Sequence, residues 1–125
     1  MVDPKALAMT LVAAYNSKDF DRLAVLMAPD IDYAHFTHGL AHDNREDVLK
    51  LLRRSAFEAI PDRAFDPPDR ITCAGNLAVV EIWWSGTTVA TMPGVSAPGN
   101  KLRVKLCSVL RFNDDGILVE WKDYG

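Results

Sequence analysis

Four residues stand out for the chemistry their side chains could do. Tyr33 and His35 alternate with Asp32 and Ala34 in Ile31-Asp32-Tyr33-Ala34-His35, so they share one face of a predicted strand. Trp121 and Asp123 are likewise two residues apart in Glu120-Trp121-Lys122-Asp123-Tyr124. A histidine and a carboxylate can exchange protons near neutral pH once their surroundings shift them, and a tyrosine can donate to a developing oxyanion. All three histidines, His35, His38 and His42, fall within eight residues. Their spacing lacks the helix and the Glu of the metalloprotease motif, so no metal site is expected. Cys73 and Cys107 are far apart and form no Cys-x-x-Cys pair. They are expected to be small buried hydrophobes.

The elements that must hold these residues follow from pattern and punctuation. Asp3-Pro4 starts a helix that carries Leu7, Leu11, Ala14 and Tyr15. Asp19 caps a second helix with Leu23, Leu26 and Met27 on one face, and Pro29 stops it at Ala28. The Ile31–His35 strand follows, then a loop from Thr37 to His42. Asp43 and Glu46 resemble a capping box ahead of a third helix with Val48, Leu49, Leu51 and Leu52 apolar and Lys50, Arg53 and Arg54 late. Pro61, Pro67 and Pro68 allow only an edge strand or extended chain. Strands are expected from Leu77 to Gly86, from Lys101 to Phe112 and from Ile117 to Tyr124. Their connections are an irregular one through Pro93-Gly94 and Pro98-Gly99, and a turn at Asn113-Asp114-Asp115-Gly116. Three helices early and antiparallel hairpins late define an α+β domain spanning 1–125.

Composition bounds the function. The chain has 125 residues, 14 Lys+Arg against 17 Asp+Glu, and a net charge of −3. Hydrophobic residues make up 49% and charged residues 25%, which suits one folded core rather than a disordered chain. No apolar run approaches a membrane span, and no basic block suggests nucleic acid. The N-terminus has no signal-peptide layout, so a cytoplasmic protein is expected.

Four segments together resemble the SnoaL-like, or nuclear transport factor 2-like, superfamily of polyketide cyclases, ketosteroid isomerase and limonene-epoxide hydrolase. They are Ala14-Tyr15-Asn16-Ser17-Lys18-Asp19-Phe20-Asp21, Met27-Ala28-Pro29-Asp30, Gly94-Val95-Ser96-Ala97-Pro98-Gly99-Asn100-Lys101 and the final Asp115–Tyr124 stretch. The last is similar to the Trp-Arg-Asp-Tyr ending of the epoxide hydrolases. The resemblance covers nearly the whole chain. It implies a curved, mostly antiparallel sheet wrapped as a cone around the helices and enclosing a pocket.

It also implies roles. His35 falls where the isomerase has its Asp base and the hydrolases an Asn that holds water. Tyr33 falls on a water-holding Tyr of the hydrolases, and Asp123 on one of their catalytic Asp residues. Two departures matter. Ile82 and Trp84 stand where the hydrolases have their Arg and second Asp, and Leu11 stands where the isomerase has its oxyanion Tyr. Neither chemistry transfers intact.

What the resemblance leaves is a cofactor-free acid/base enzyme acting on a hydrophobic small molecule. Asp123, His35 and Tyr33 would be its catalytic groups, and Trp84, Trp121, Ile82, Leu11, Tyr15 and Met27 its substrate lining. A carboxyl among such walls is poorly solvated and its pKa rises, while a nearby imidazolium would lower it. This reading expects Tyr33, His35 and Asp123 to converge in a cavity of several hundred Å³. The alternatives are a non-catalytic binding or dimerisation domain of the same fold, and a divergent epoxide hydrolase. His38 and His42 are expected at the cavity mouth. By alternation Trp84 faces inward, while Glu81, Trp83, Lys101, Arg103 and Lys105 face outward. The face with Trp83, Arg103 and Lys105 is the expected homodimer surface. The sequence runs two residues past Asp123, where many relatives continue, so a cavity that is open or closed by a partner subunit is expected.

Overall fold

In a computed structural model, residues 2–90 and 98–125 are described. Helix α1 (Pro4–Asn16) begins where expected: the Asp3 carboxylate accepts from Ala6 N–H at 3.2 Å, and Pro4 occupies the first turn. Ala8, Leu11, Ala14 and Tyr15 form its buried stripe. Helix α2 (Phe20–Leu26) is capped by Asp19, which accepts from Arg22 N–H at 3.1 Å. It ends at Leu26, before the predicted stop at Ala28: Met27 already has extended backbone and opens strand β1 (Met27–His35). Helix α3 (Arg45–Arg54) runs into a π-helical turn, Ser55–Ala59.

The capping box at Asp43 is not what starts α3. Asn44 is the cap, and its side-chain oxygen accepts from Asp47 N–H at 2.9 Å. Its amide nitrogen donates back to the Asp47 carboxylate at 3.0 Å, while Glu46 pairs sideways with Arg45. The predicted 37–42 loop is also structured. A 3₁₀ turn (Phe36–His38) leads to β2 (Leu40–His42), which folds back antiparallel on β1.

The remaining strands are β3 (Ala64–Phe65), β4 (Arg70–Ala74), β5 (Leu77–Thr87), β6 (Lys101–Phe112) and β7 (Leu118–Tyr124). Five strands therefore follow α3 rather than four. Pro67 and Pro68, which have no N–H for a ladder, split the proline-rich stretch in two. Both halves pair antiparallel with β5, β3 at Trp84–Ser85 and β4 along Leu77–Glu81. The sheet order is β2-β1-β7-β6-β5-β3, with β4 also on β5. Among the described residues only the β1–β7 pair is parallel. This is the α+β cone: a curved, unclosed, mostly antiparallel sheet of seven strands with three helices against its inner face. The Pro93-Gly94 part of the predicted connection lies outside the described residues. At Pro98-Gly99 the backbone turns with Gly99 at φ 91°, and Thr88 and Asn100 close it by hydrogen bonds.

Register places the candidate residues. β7 lies between β1 and β6, so Asp123 is on an interior strand and not on a fraying edge. One inward row reads His35–Asp123–Ser108–Val80, and the next reads Tyr33–Trp121–Leu110–Ala78. The outer row opposite carries Trp83–Lys105 and Glu81–Cys107. That corrects the expectation for the cysteines. Cys107 is half-buried because its strand alternation points it outward, and Cys73 is exposed because it sits on edge strand β4. No helix among the described residues is long and apolar enough to cross a membrane.

Candidate functional site

Asp123 is the centre of the polar interior. It is only 3% exposed, yet among the described residues no cation pairs with it. Two donors converge on one of its oxygens: Ser108 Oγ at 2.6 Å from the neighbouring strand, and Trp121 Nε1 at 2.8 Å from two residues earlier on the same face. The second oxygen, Oδ2, has no hydrogen-bond partner among the described residues. Burial pushes the carboxyl up to about 6, and the Ser108 and Trp121 hydrogen bonds only partly oppose it. The carboxyl therefore changes its protonation state near pH 6 rather than in the ordinary carboxylate range.

Tyr33 stands beside this carboxyl. Its ring meets Trp121 edge-on at 5.3 Å and stacks on His42 at 6.2 Å. Burial, with Asp123 and Tyr15 adding to it, holds the Tyr33 hydroxyl well above its ordinary pKa, so it remains a proton donor. Tyr15 is buried as well, and its hydroxyl accepts from Trp84 Nε1 at 2.9 Å. Trp84 therefore reaches inward as predicted, while Trp83 lies outside under Arg103 and Lys105, 4.6 and 5.4 Å from its ring.

His35 does not join the group. It is in register with Asp123 on the adjacent strand, but neither a hydrogen bond nor an ion pair links them. Its ring turns to His38, with centroids 4.3 Å apart, and Nδ1 is buried without a hydrogen-bond partner among the described residues. Burial first, and the facing His38 second, push the His35 imidazole down to about 4. It is therefore neutral where an imidazolium partner for Asp123 was expected.

The cavity is smaller than the several hundred Å³ expected. A free volume of about 10 Å³, roughly one water, lies between α1 and the sheet. Of the residues expected to line a substrate site, Leu11, Ile82 and Trp121 border it, together with Val12, Phe65, Val80, Ser108 and Leu110, whereas Trp84 does not, and neither do Asp123 and Tyr33. Tyr15 and Met27 are core residues near it rather than lining. Ser108 was legible in principle, since it is the polar member of the inward set Leu106, Ser108, Leu110 and faces Asp123 across the β6–β7 hairpin. Ser108→Ala should raise the Asp123 pKa above about 6, because one of the two donors that favour the carboxylate is lost. A carboxyl-carbon NMR titration of Asp123 checks this, and an unchanged midpoint would refute the role given to Ser108.

Among the described residues no cluster of three or more His, Cys, Asp or Glu could hold a metal ion. On the outer face, Arg103 pairs with Asp66 at 3.1 Å, Lys105 pairs with Asp69, and Arg70 with Glu81.

An open, curved, mostly antiparallel sheet with three helices on its inner face defines the class. The chain belongs to the SnoaL-like domain family, whose model matches residues 9–121. Among solved structures it is similar to AclR of Streptomyces galilaeus, a candidate hydroxylase, at 26% identity and TM-score 0.76, covering 97% of this chain and 77% of that one. It is similar to IdmH of Streptomyces antibioticus, a candidate polyketide cyclase, at 25% identity and TM-score 0.78, covering 98% and 91%. An epoxide hydrolase of the limonene-epoxide hydrolase type from Mycobacterium tuberculosis shares the fold at 18% identity and TM-score 0.74, covering 95% and 79%. None of the curated proteins matches the chain.

Proposed function

We propose that this protein is a small enzyme that moves a proton on a hydrophobic, carbonyl-bearing molecule, with Asp123 as the general base and then the acid. The observation that carries this reading is the Asp123 carboxyl itself: buried, hydrogen-bonded at one oxygen, and among the described residues without a cation or a partner at the other. Above about pH 6 its carboxylate takes a proton from the carbon next to the carbonyl. The enolate oxygen is stabilised by the Tyr33 hydroxyl, and the proton returns from Asp123 to the new position. His35 has no part in the transfer, since its neutral ring faces His38 and not the carboxyl. The cyclase neighbours support the same type of chemistry.

The test needs no natural substrate. Polycyclic aromatic and terpenoid ketones are incubated with the protein in D₂O, and deuterium next to the carbonyl is followed by NMR. Catalysed exchange should rise through an apparent pKa near 6, and Asp123→Asn should slow it by about 10²-fold or more. Exchange equal in wild-type and variant would overturn the assignment.

A second reading, a non-catalytic small-molecule-binding domain, draws on the size of the cavity, which must open before any such ligand enters. Binding without catalysed exchange is its signature. A divergent epoxide hydrolase has less support, because Ile82 and Trp84 bring neither an arginine nor a second carboxylate to Asp123. We also propose a homodimer through the outer face of β5 and β6. Light scattering at micromolar concentration should give twice the chain mass, and Trp83→Glu should give the monomer. A wild-type monomer would refute it.

A further inference from the structure

A second buried ionisable group lies outside this account. Arg63 is 2% exposed, and none of its three side-chain nitrogens has a hydrogen-bond partner among the described residues. A guanidinium stays charged in proteins and carries five N–H donors, so burial without an acceptor is costly. Its nearest company is aromatic: the guanidinium lies 3.9 Å above the Tyr15 ring. That contact recovers part of the cost and satisfies no N–H. The carboxylates close to it in sequence are engaged elsewhere. Asp62 accepts from Thr87 N–H at 2.7 Å, and Asp66 pairs with Arg103.

The backbone at Arg63 is fixed, which makes the position a built feature. Arg63 N–H donates to Ile60 C=O at 3.0 Å, and the turn is pressed onto Gly86 of β5. The stack also adjoins the cavity. Phe65 packs against Tyr15 at 4.6 Å between ring centroids and forms one wall of the cavity. Asn16 holds the Phe65 backbone from both sides, at 2.8 and 3.0 Å, so this wall can be displaced only through the Phe65 side chain.

We propose that Arg63 is an anion-recognition residue, and that the ligand is a hydrophobic organic acid whose carboxylate pairs with this guanidinium beside Tyr15. Its apolar body occupies the space between α1 and the sheet that opens when the Phe65 ring swings out. The inference rests on the reading that this interior takes an apolar ligand, and not on any catalysis there.

Calorimetric titration with 2-naphthoate and with the uncharged 2-naphthylmethanol tests it. Wild-type protein should bind the acid about ten times or more tighter than the alcohol. Arg63→Met should abolish that preference while keeping alcohol binding. The same substitution should leave the melting temperature unchanged or raise it, since a buried cation without a partner is replaced by an apolar side chain of similar length. Equal binding of acid and alcohol by the wild-type would overturn the proposal and leave the apolar-ligand reading standing. Binding of neither would overturn both. A clear fall in melting temperature for Arg63→Met, with the acid preference retained, would make Arg63 a structural residue only.

Discussion

The stability of Asp123→Asn relative to wild-type should improve by about 2 kcal/mol between about pH 4, where a small part of the penalty is already present, and pH 8. The folded-state pKa of Asp123 is about 6, against an ordinary value of 3.8. Below both values the carboxyl is protonated in folded and unfolded chains alike, and no penalty exists. Between them the folded protein binds the proton that the unfolded chain has released, so wild-type stability falls as pH rises. Above about 6 the carboxylate is buried ionised and the whole penalty is present. A shift of roughly two units is worth about 3 kcal/mol. Asparagine cannot ionise, and its carbonyl can still accept from Ser108 and Trp121. Its amide N–H groups need acceptors and carry their own cost, but that cost is the same at both pH values and cancels in the comparison. Urea denaturation at the two pH values measures it. A difference that does not change with pH would mean that Asp123 is not held at a raised pKa. Together with the expected loss of exchange, the result would mark Asp123 as a residue kept for chemistry at the expense of stability.

The frame of this site was legible in the sequence because it is built from periodic elements. Alternation put Tyr33 with His35 and Trp121 with Asp123, and the Asn113–Gly116 turn joined β6 to β7. Alternation also separated Trp84 from Trp83. Three features were not legible. The strands β2 and β3 have three and two residues, too few to show a period. His35 shares a register position with Asp123, but whether neighbouring side chains meet depends on rotamers, and its ring turns to His38. Arg63 falls in the short connection between Pro61 and an edge strand of two residues, where no pattern distinguishes an inward arginine from a solvated one. Cavity volume belongs to the same class. A cone is implied by element order, whereas the remaining space depends on how Leu11, Phe65 and Trp121 interdigitate.

Gly86→Ala should destabilise the protein by about 1–2 kcal/mol, although alanine normally favours a strand over glycine. Gly86 is buried near the end of β5, and its backbone is not in the left-handed region, so the obstacle is contact alone. A Cβ there would collide with Ile60 Cγ2 and stand 3.3 Å from both Cα and Cβ of Arg63. Ile60 is itself buried, and the Arg63 Cα is backbone, so neither can yield without lifting the 60–63 turn off the sheet. Overpacking of this kind costs about 1–3 kcal/mol. The reduced freedom of the unfolded chain returns about 0.4–1 kcal/mol of it. The mechanism is separable by a double-mutant cycle. Ile60→Ala removes the colliding methyl, so adding Gly86→Ala in that background should cost much less than it does in wild-type. If both increments are equal, the turn is not seated on Gly86, and the same result would remove the fixed backbone on which the position of Arg63 depends.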